Sequence, residues 1–163
     1  MGTKITDYSP KIFEIFNKKW AILTAGTKDE VNSMTVSWGG LGTLWGKPVA
    51  TVYVRKSRYT HEFMDKSDVF TLSFYSEEQR PALKLMGAVS GRDRDKVKES
   101  GLTPIVLDNG AVTYNETEIT IVCKKLYKQP MDPSQIPDEA RVFYKDGDYH
   151  DIYIAEVIEI LEK

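Results

Sequence analysis

The chain has 163 residues, 41% apolar and 28% charged, with 24 acidic against 22 basic side chains and a net charge of −2. That composition is an ordinary globular protein's and excludes a disordered chain; at this length one domain, spanning 1–163, can bury a core without covalent staples. The near-neutral balance excludes a general basic field for nucleic acid or an anionic membrane surface, so any anion binding has to be local.

Cys123 is the single cysteine, which excludes an intrachain disulfide. His61 and His150 are the only histidines, no metal-ligand spacing is visible, and no metal is expected. The first residues lack the apolar core and cleavage site of a signal peptide, and no apolar run approaches a membrane span. A cytoplasmic location is expected.

Ser9-Pro10 marks a helix start, after which Ile12, Phe13, Ile15 and Phe16 give a short docking face. Residues 20–24 read as a strand and 26–30 as a turn, so a hairpin delivers the chain to Asn32. Residues 34–38 alternate as a strand, and Gly39, Gly40, Gly42 and Gly46 then predict a loop. Residues 49–54 form a further strand that ends in a basic, hydroxyl-rich turn, Arg55-Lys56-Ser57-Arg58-Tyr59-Thr60. Phe63 and Met64 fit one side of a short helix. Residues 68–75 alternate Val69, Thr71, Ser73 and Tyr75 against Phe70, Leu72 and Phe74, a strand pattern.

Residues 77–89 read as helical, with Pro81 in the first turn and Leu83 and Met86 inward. Ser90-Gly91-Arg92-Asp93 breaks that pattern, and a short helix over 95–99 ends at Gly101. A brief strand at 104–107 and a turn at 108–110 precede a long strand over 116–127 with Ile119, Ile121 and Cys123 on one face. Pro130, Pro133 and Pro137 prevent regular structure throughout 129–141. Too little chain follows for another domain, so this is an excursion within one. Residues 149–161 close the chain as a strand. Six or seven strands, two to four short helices and no βαβ succession predict an antiparallel barrel or sheet with peripheral helices.

The chain carries no G-x-G-x-x-G after a strand, no P-loop lysine motif and no G-x-S-x-G elbow. Cys123 reads as a core thiol. His150 and Asp151 are strand neighbours that point to opposite faces, which argues against a triad. The turn is more informative. Arg55, Lys56 and Arg58, with the hydroxyls of Ser57, Tyr59 and Thr60 and the first amides of the next helix, could form a phosphate cage. The plainer alternative is a solvated basic turn. Gly39 and Gly40 would let a ring approach the backbone, or simply make a tight corner. Trp38 and Trp45 could flank such a ring, although core packing is the commoner fate of tryptophan. Together these residues suggest a cradle for a phosphorylated flat ligand.

The segment N-x-M-T-V-S-W-G-G-L-G-T-L-W-G-K-P, followed by V-Y-V-R-x-S-R-Y-T, closely resembles the flavin reductase-like FMN-binding split-barrel family, in particular its flavoredoxin-type members. Leu72-Ser73-Phe74, Ser90-Gly91-Arg92-Asp93-x-Asp95-Lys96, Gly101-Leu102-Thr103-Pro104 and Gly147-Asp148-Tyr149-His150 agree, so the likeness runs from about Trp20 onward. It implies a mainly β fold, a six-stranded antiparallel Greek-key split barrel with short peripheral helices. It also implies a homodimer with FMN at or near the interface. Carried over, Asn32, Met34, Thr35, Val36, Ser37 and Trp38 would line the flavin ring and ribityl chain, and Arg55, Ser57, Arg58, Tyr59 and Thr60 would hold the phosphate. Ser90, Arg92 and Lys96 would add ribityl or phosphate contacts, and His150 would sit near the flavin or the nicotinamide.

The activity implied is an FMN-dependent oxidoreductase taking electrons from NADH or NADPH and passing them to an acceptor. Such chemistry needs alignment more than a protein acid or base. The alternative is a non-enzymatic FMN electron carrier serving a redox partner protein. A split barrel holding haem, pyridoxal phosphate or no ligand is a further rival.

Overall fold

The computed structural model describes residues 2–163. Nine strands form: β1 (Ala21–Gly26), β2 (Val31–Val36), β3 (Gly39–Leu44), β4 (Lys47–Arg55), β5 (Val69–Phe74), β6 (Pro104–Val106), β7 (Val112–Tyr114), β8 (Ile119–Pro130) and β9 (His150–Glu162). Seven make one antiparallel sheet in the order β2-β1-β5-β8-β9-β4-β3, and β6 and β7 pair separately. The main sheet therefore has seven strands where six were expected.

The additional strand is the glycine-rich stretch expected to be a loop. Gly39 to Leu44 pair residue for residue with β4, from Gly39 opposite Val52 to Leu44 opposite Lys47. The reversal is confined to Trp45 and Gly46, both at positive φ (52° and 70°), the signature of a tight two-residue hairpin. Ladder hydrogen bonds satisfy the backbone here, which a glycine supplies as well as any residue. Gly39 must be a glycine for another reason: a Cβ there would lie 2.7 Å from the Phe16 ring and 2.9 Å from the Thr51 carbonyl oxygen.

Only Ser37 and Trp38 separate β2 from β3, yet these are the two edges of the sheet. A flat seven-stranded sheet spaced at about 4.8 Å would hold its edges roughly 29 Å apart. Three chain steps of about 3.8 Å reach only roughly 11 Å. The sheet must curl until its edges approach one another, and this encloses the main core. Leu23, Met34, Val52, Phe70, Leu72, Ile121, Tyr153 and Val157 are among the residues buried inside.

The outer face of β1, β2 and β5 is roofed by β7 and α3 (Arg80–Ala88), with Ile22, Leu83, Met86 and Tyr114 in a second cluster. That roof explains buried hydroxyls on alternating strand positions. Thr24 bonds Ser33 (2.8 Å), Ser33 bonds the Tyr114 hydroxyl (2.6 Å), and Ser73 bonds Thr113 (2.8 Å). α1 (Ile12–Glu14) runs into a π-helical turn, Ile15–Lys19. The wider turn shifts the phase of the predicted docking face: Ile15 and Phe16 are buried, whereas Phe13 is 93% exposed. Two more helices, α2 (Tyr59–Lys66) and α4 (Lys96–Ser100), complete the set, α4 ending at Gly101 in the left-handed region. Among the described residues no helix is long and apolar enough to cross a membrane.

Candidate functional site

Strand register assembles the site. Arg55, at the end of β4, is the ladder partner of His150, at the start of β9. Pro130, where β8 ends, pairs with Asp151. The proline-rich excursion between them is thus a strap that leaves and re-enters at neighbouring positions. It carries two 3₁₀ turns, Pro133–Gln135 and Asp138–Tyr144.

At this end a cleft of about 150 Å³ is lined by Met34 to Trp38 from β2 and its exit, by Tyr53, Arg55 and Arg58, and by His150. Five of the six residues expected around a flavin ring therefore meet two of the expected phosphate residues and the expected histidine. The aromatic lining is dense. His150 lies 5.5 Å from Trp38, 6.3 Å from Tyr53 and 5.4 Å from Tyr144, measured between ring centres. Its Nδ1 is 2.6 Å from the Tyr144 hydroxyl. Burial, and then the Arg55 and Arg58 charges against an opposing contribution from Asp148, push its pKa down to about 4. The imidazole is therefore neutral across the physiological range.

The basic turn divides its donors unequally. Arg55 donates from Nη1 to the Asp148 carbonyl (2.6 Å) and from Nη2 to the Phe143 carbonyl (2.8 Å), and stacks 5.1 Å over the Tyr144 ring. Ser57 donates its amide to Asp148 Oδ1 (3.2 Å) and its hydroxyl to Oδ2 of the same carboxylate. Arg58 is different. Its half-buried guanidinium makes no hydrogen bond or ion pair among the described residues. Burial and the neighbouring Arg55 charge lower its pKa, with Asp148 acting the other way. An unpaired cation in a cleft is a seat for an anion.

The remaining expected residues do not enter this cleft. Asn32 donates from Nδ2 to Thr60 Oγ1 (2.8 Å), so these two buried side chains engage each other. Arg92 lies 4.8 Å over the Tyr59 ring, pairs with Glu62 and donates to the Ser57 carbonyl (3.2 Å). The Ser90 hydroxyl accepts the Arg92 amide (3.2 Å). Lys96 is buried and donates to the carbonyls of Met86 and Val89 (both 3.2 Å), capping the end of α3. Burial and the Arg58 charge lower its pKa to about 8. Asn32, Tyr59, Arg92 and Lys96 line a separate depression of about 610 Å³.

Sequence reasoning missed Tyr53, Phe143, Tyr144 and Asp148. The paired aromatics Phe143 and Tyr144, just after the proline-rich stretch, were the available signal. It also missed a contact: His61 Nε2 lies 2.7 Å from the buried Asp151, and its Nδ1 lies 3.6 Å from Asp65. Carboxylates occupy both sides of that ring, so it activates no nucleophile. His150 and Asp151 have different partners, as neighbours on a strand should. Cys123 is fully buried, which pushes its thiol pKa up. Among the described residues no group of three or more His, Cys, Asp or Glu side chains is placed to hold a metal ion.

The model of the flavin reductase like domain matches residues 13–163. The chain belongs to this family. No curated protein matches it. Solved structures share the fold of this flavin reductase like domain at low identity. An FMN-binding protein from Thermus thermophilus with bound p-hydroxybenzaldehyde has a TM-score of 0.71 at 18% identity, covering 100% of this chain and 82% of its own. Flavoredoxin from Methanosarcina acetivorans gives 0.71 at 20%, with 99% and 76% covered. An NADH:FAD oxidoreductase from Streptomyces globisporus gives 0.67 at 17%, with 89% and 75% covered.

Proposed function

We propose that the chain is an FMN-dependent oxidoreductase that accepts hydride from NADH or NADPH. The observation that carries this reading is the unpaired Arg58 guanidinium in a cleft whose other walls are the end of β2 and a neutral histidine. The residues present fit FMN: a half-buried cation suits a phosphate, and a strand end with aromatic neighbours suits a flat ring. Arg58, with the first amides of α2, would hold the phosphate. Met34 to Trp38 would lie along the ring. Bound FMN would supply a ring that takes hydride from a nicotinamide and passes electrons on. Where the Tyr144 hydroxyl donates to His150 Nδ1, the ring proton stays on Nε2 as a donor for the occupant. Trp38 and Phe143 pack edge to face at 5.1 Å on that side.

A volume of about 150 Å³ falls short of the roughly 300–1,000 Å³ of a complete small-molecule pocket. A second copy of the chain supplying the missing wall accounts for this, so the functional unit is a homodimer. The deciding experiment is a flavin spectrum of the purified protein followed by anaerobic addition of NADH or NADPH. Stoichiometric flavin bleached by one of them is expected. A protein that takes up no FMN defeats the reading. Flavin that binds but is bleached by neither nucleotide identifies an electron carrier instead.

A further inference from the structure

The geometry points to Asp148 as an internal competitor for the ligand's phosphate, and so as the residue that sets discrimination between phosphorylated and unphosphorylated flavin. The inference rests on the proposed FMN reading and adds a residue to which the resemblance assigned no role in the site.

Asp148 belongs to the strap, two positions before β9, and its carboxylate takes both donors of Ser57, the amide and the hydroxyl. It contributes favourably to the Arg58 cation and opposes the depression of the His150 pKa. A carboxylate accepting an amide and a hydroxyl beside two arginines is the arrangement a phosphate oxygen would adopt. Two anions cannot share those donors without repulsion. An incoming phosphate must therefore displace the carboxylate from Ser57 or bind through Arg58 and the α2 amides against its charge. Either route costs affinity that an unphosphorylated ring never loses. The neighbouring Arg55 contacts go to backbone carbonyls of the strap. Neutralising the Asp148 side chain leaves those contacts in place.

The test compares FMN with riboflavin, titrated by flavin fluorescence against wild type, Asp148→Asn and Asp148→Ser, with melting curves to establish that each variant is folded. Asp148→Asn removes the charge and keeps one acceptor oxygen for Ser57, its amide nitrogen donating to the hydroxyl instead of accepting from it; Asp148→Ser removes the carboxylate and remains small and polar. Tighter FMN binding on the order of fivefold is expected in both, with riboflavin affinity unchanged, so that the FMN-to-riboflavin ratio rises. A ratio that stays constant or falls overturns the inference, because Asp148 is then only a brace for the strap. Wild-type protein that binds neither flavin defeats the FMN reading itself, a result separable from an unchanged ratio.

Discussion

Arg58 brings a half-buried cation to the wall of the cleft. Its neighbours Arg55 and Ser57 are engaged with the strap, whereas its guanidinium makes no hydrogen bond or ion pair among the described residues and lies near a like charge. Arg58→Ala should therefore weaken FMN binding by tenfold or more, since charged hydrogen bonds are worth roughly 1.5–3 kcal/mol, while leaving riboflavin binding unchanged. The melting temperature should change little, because no hydrogen bond of the guanidinium is lost and the nearby Arg55 and Asp148 charges oppose each other. Flavin titration and thermal melts check both halves; unchanged FMN affinity would mean that the turn is only a solvated surface. His150 offers a pH signature. Its folded pKa of about 4 lies below the ordinary 6.5, so the unfolded chain takes up the proton first. The stability attached to the neutral ring is whole above about pH 6.5 and is lost as pH falls toward about 4. An NMR titration of the ring should show a midpoint near 4, and a midpoint near 6.5 would refute the buried, cation-flanked environment. The Arg-x-Ser-Arg pattern made the cationic turn legible in the sequence. Which arginine stays free was not legible, because Phe143 and Asp148 reach Arg55 and Ser57 from about 90 residues away.

Among the elements, β3 departs furthest from expectation. Four glycines suggested a loop, but the backbone pairs along its length and the turn shrinks to Trp45 and Gly46. Gly39 abuts the Phe16 ring and the Thr51 carbonyl, whereas Gly40 faces open space. Gly39→Ala should cost about 1–3 kcal/mol through overpacking, and Gly40→Ala should be close to neutral. Urea unfolding of the two variants distinguishes them, and equal effects would contradict this placement. The strap is the second such element. Its three prolines announced irregular structure correctly, yet its aromatics pack on Trp38, Arg55 and His150 at the cleft, because β8 and β9 set its ends beside Arg55 and His150.

For the whole molecule, the cleft beyond the end of β2 lies beside exposed aromatic side chains, with Trp38 39% and Phe143 52% exposed. Apolar surface of this kind beside an incomplete pocket argues for a covering partner, and the proposed homodimer supplies one. Sedimentation at micromolar concentration should give a dimer when FMN is bound; an FMN-loaded monomer would remove the second copy from the site. The sequence by itself determined the antiparallel β class, the buried thiol and the cationic turn, because alternation, burial preference and charge spacing are local properties. The family motif suggested the ligand class that is proposed here. Only the tertiary structure decided that the glycine-rich segment is a seventh strand, that Lys96 caps a helix, and that Asp148 and Tyr144 join the site. Those outcomes depend on ladder partners and on contacts across long stretches of chain, which no local pattern encodes.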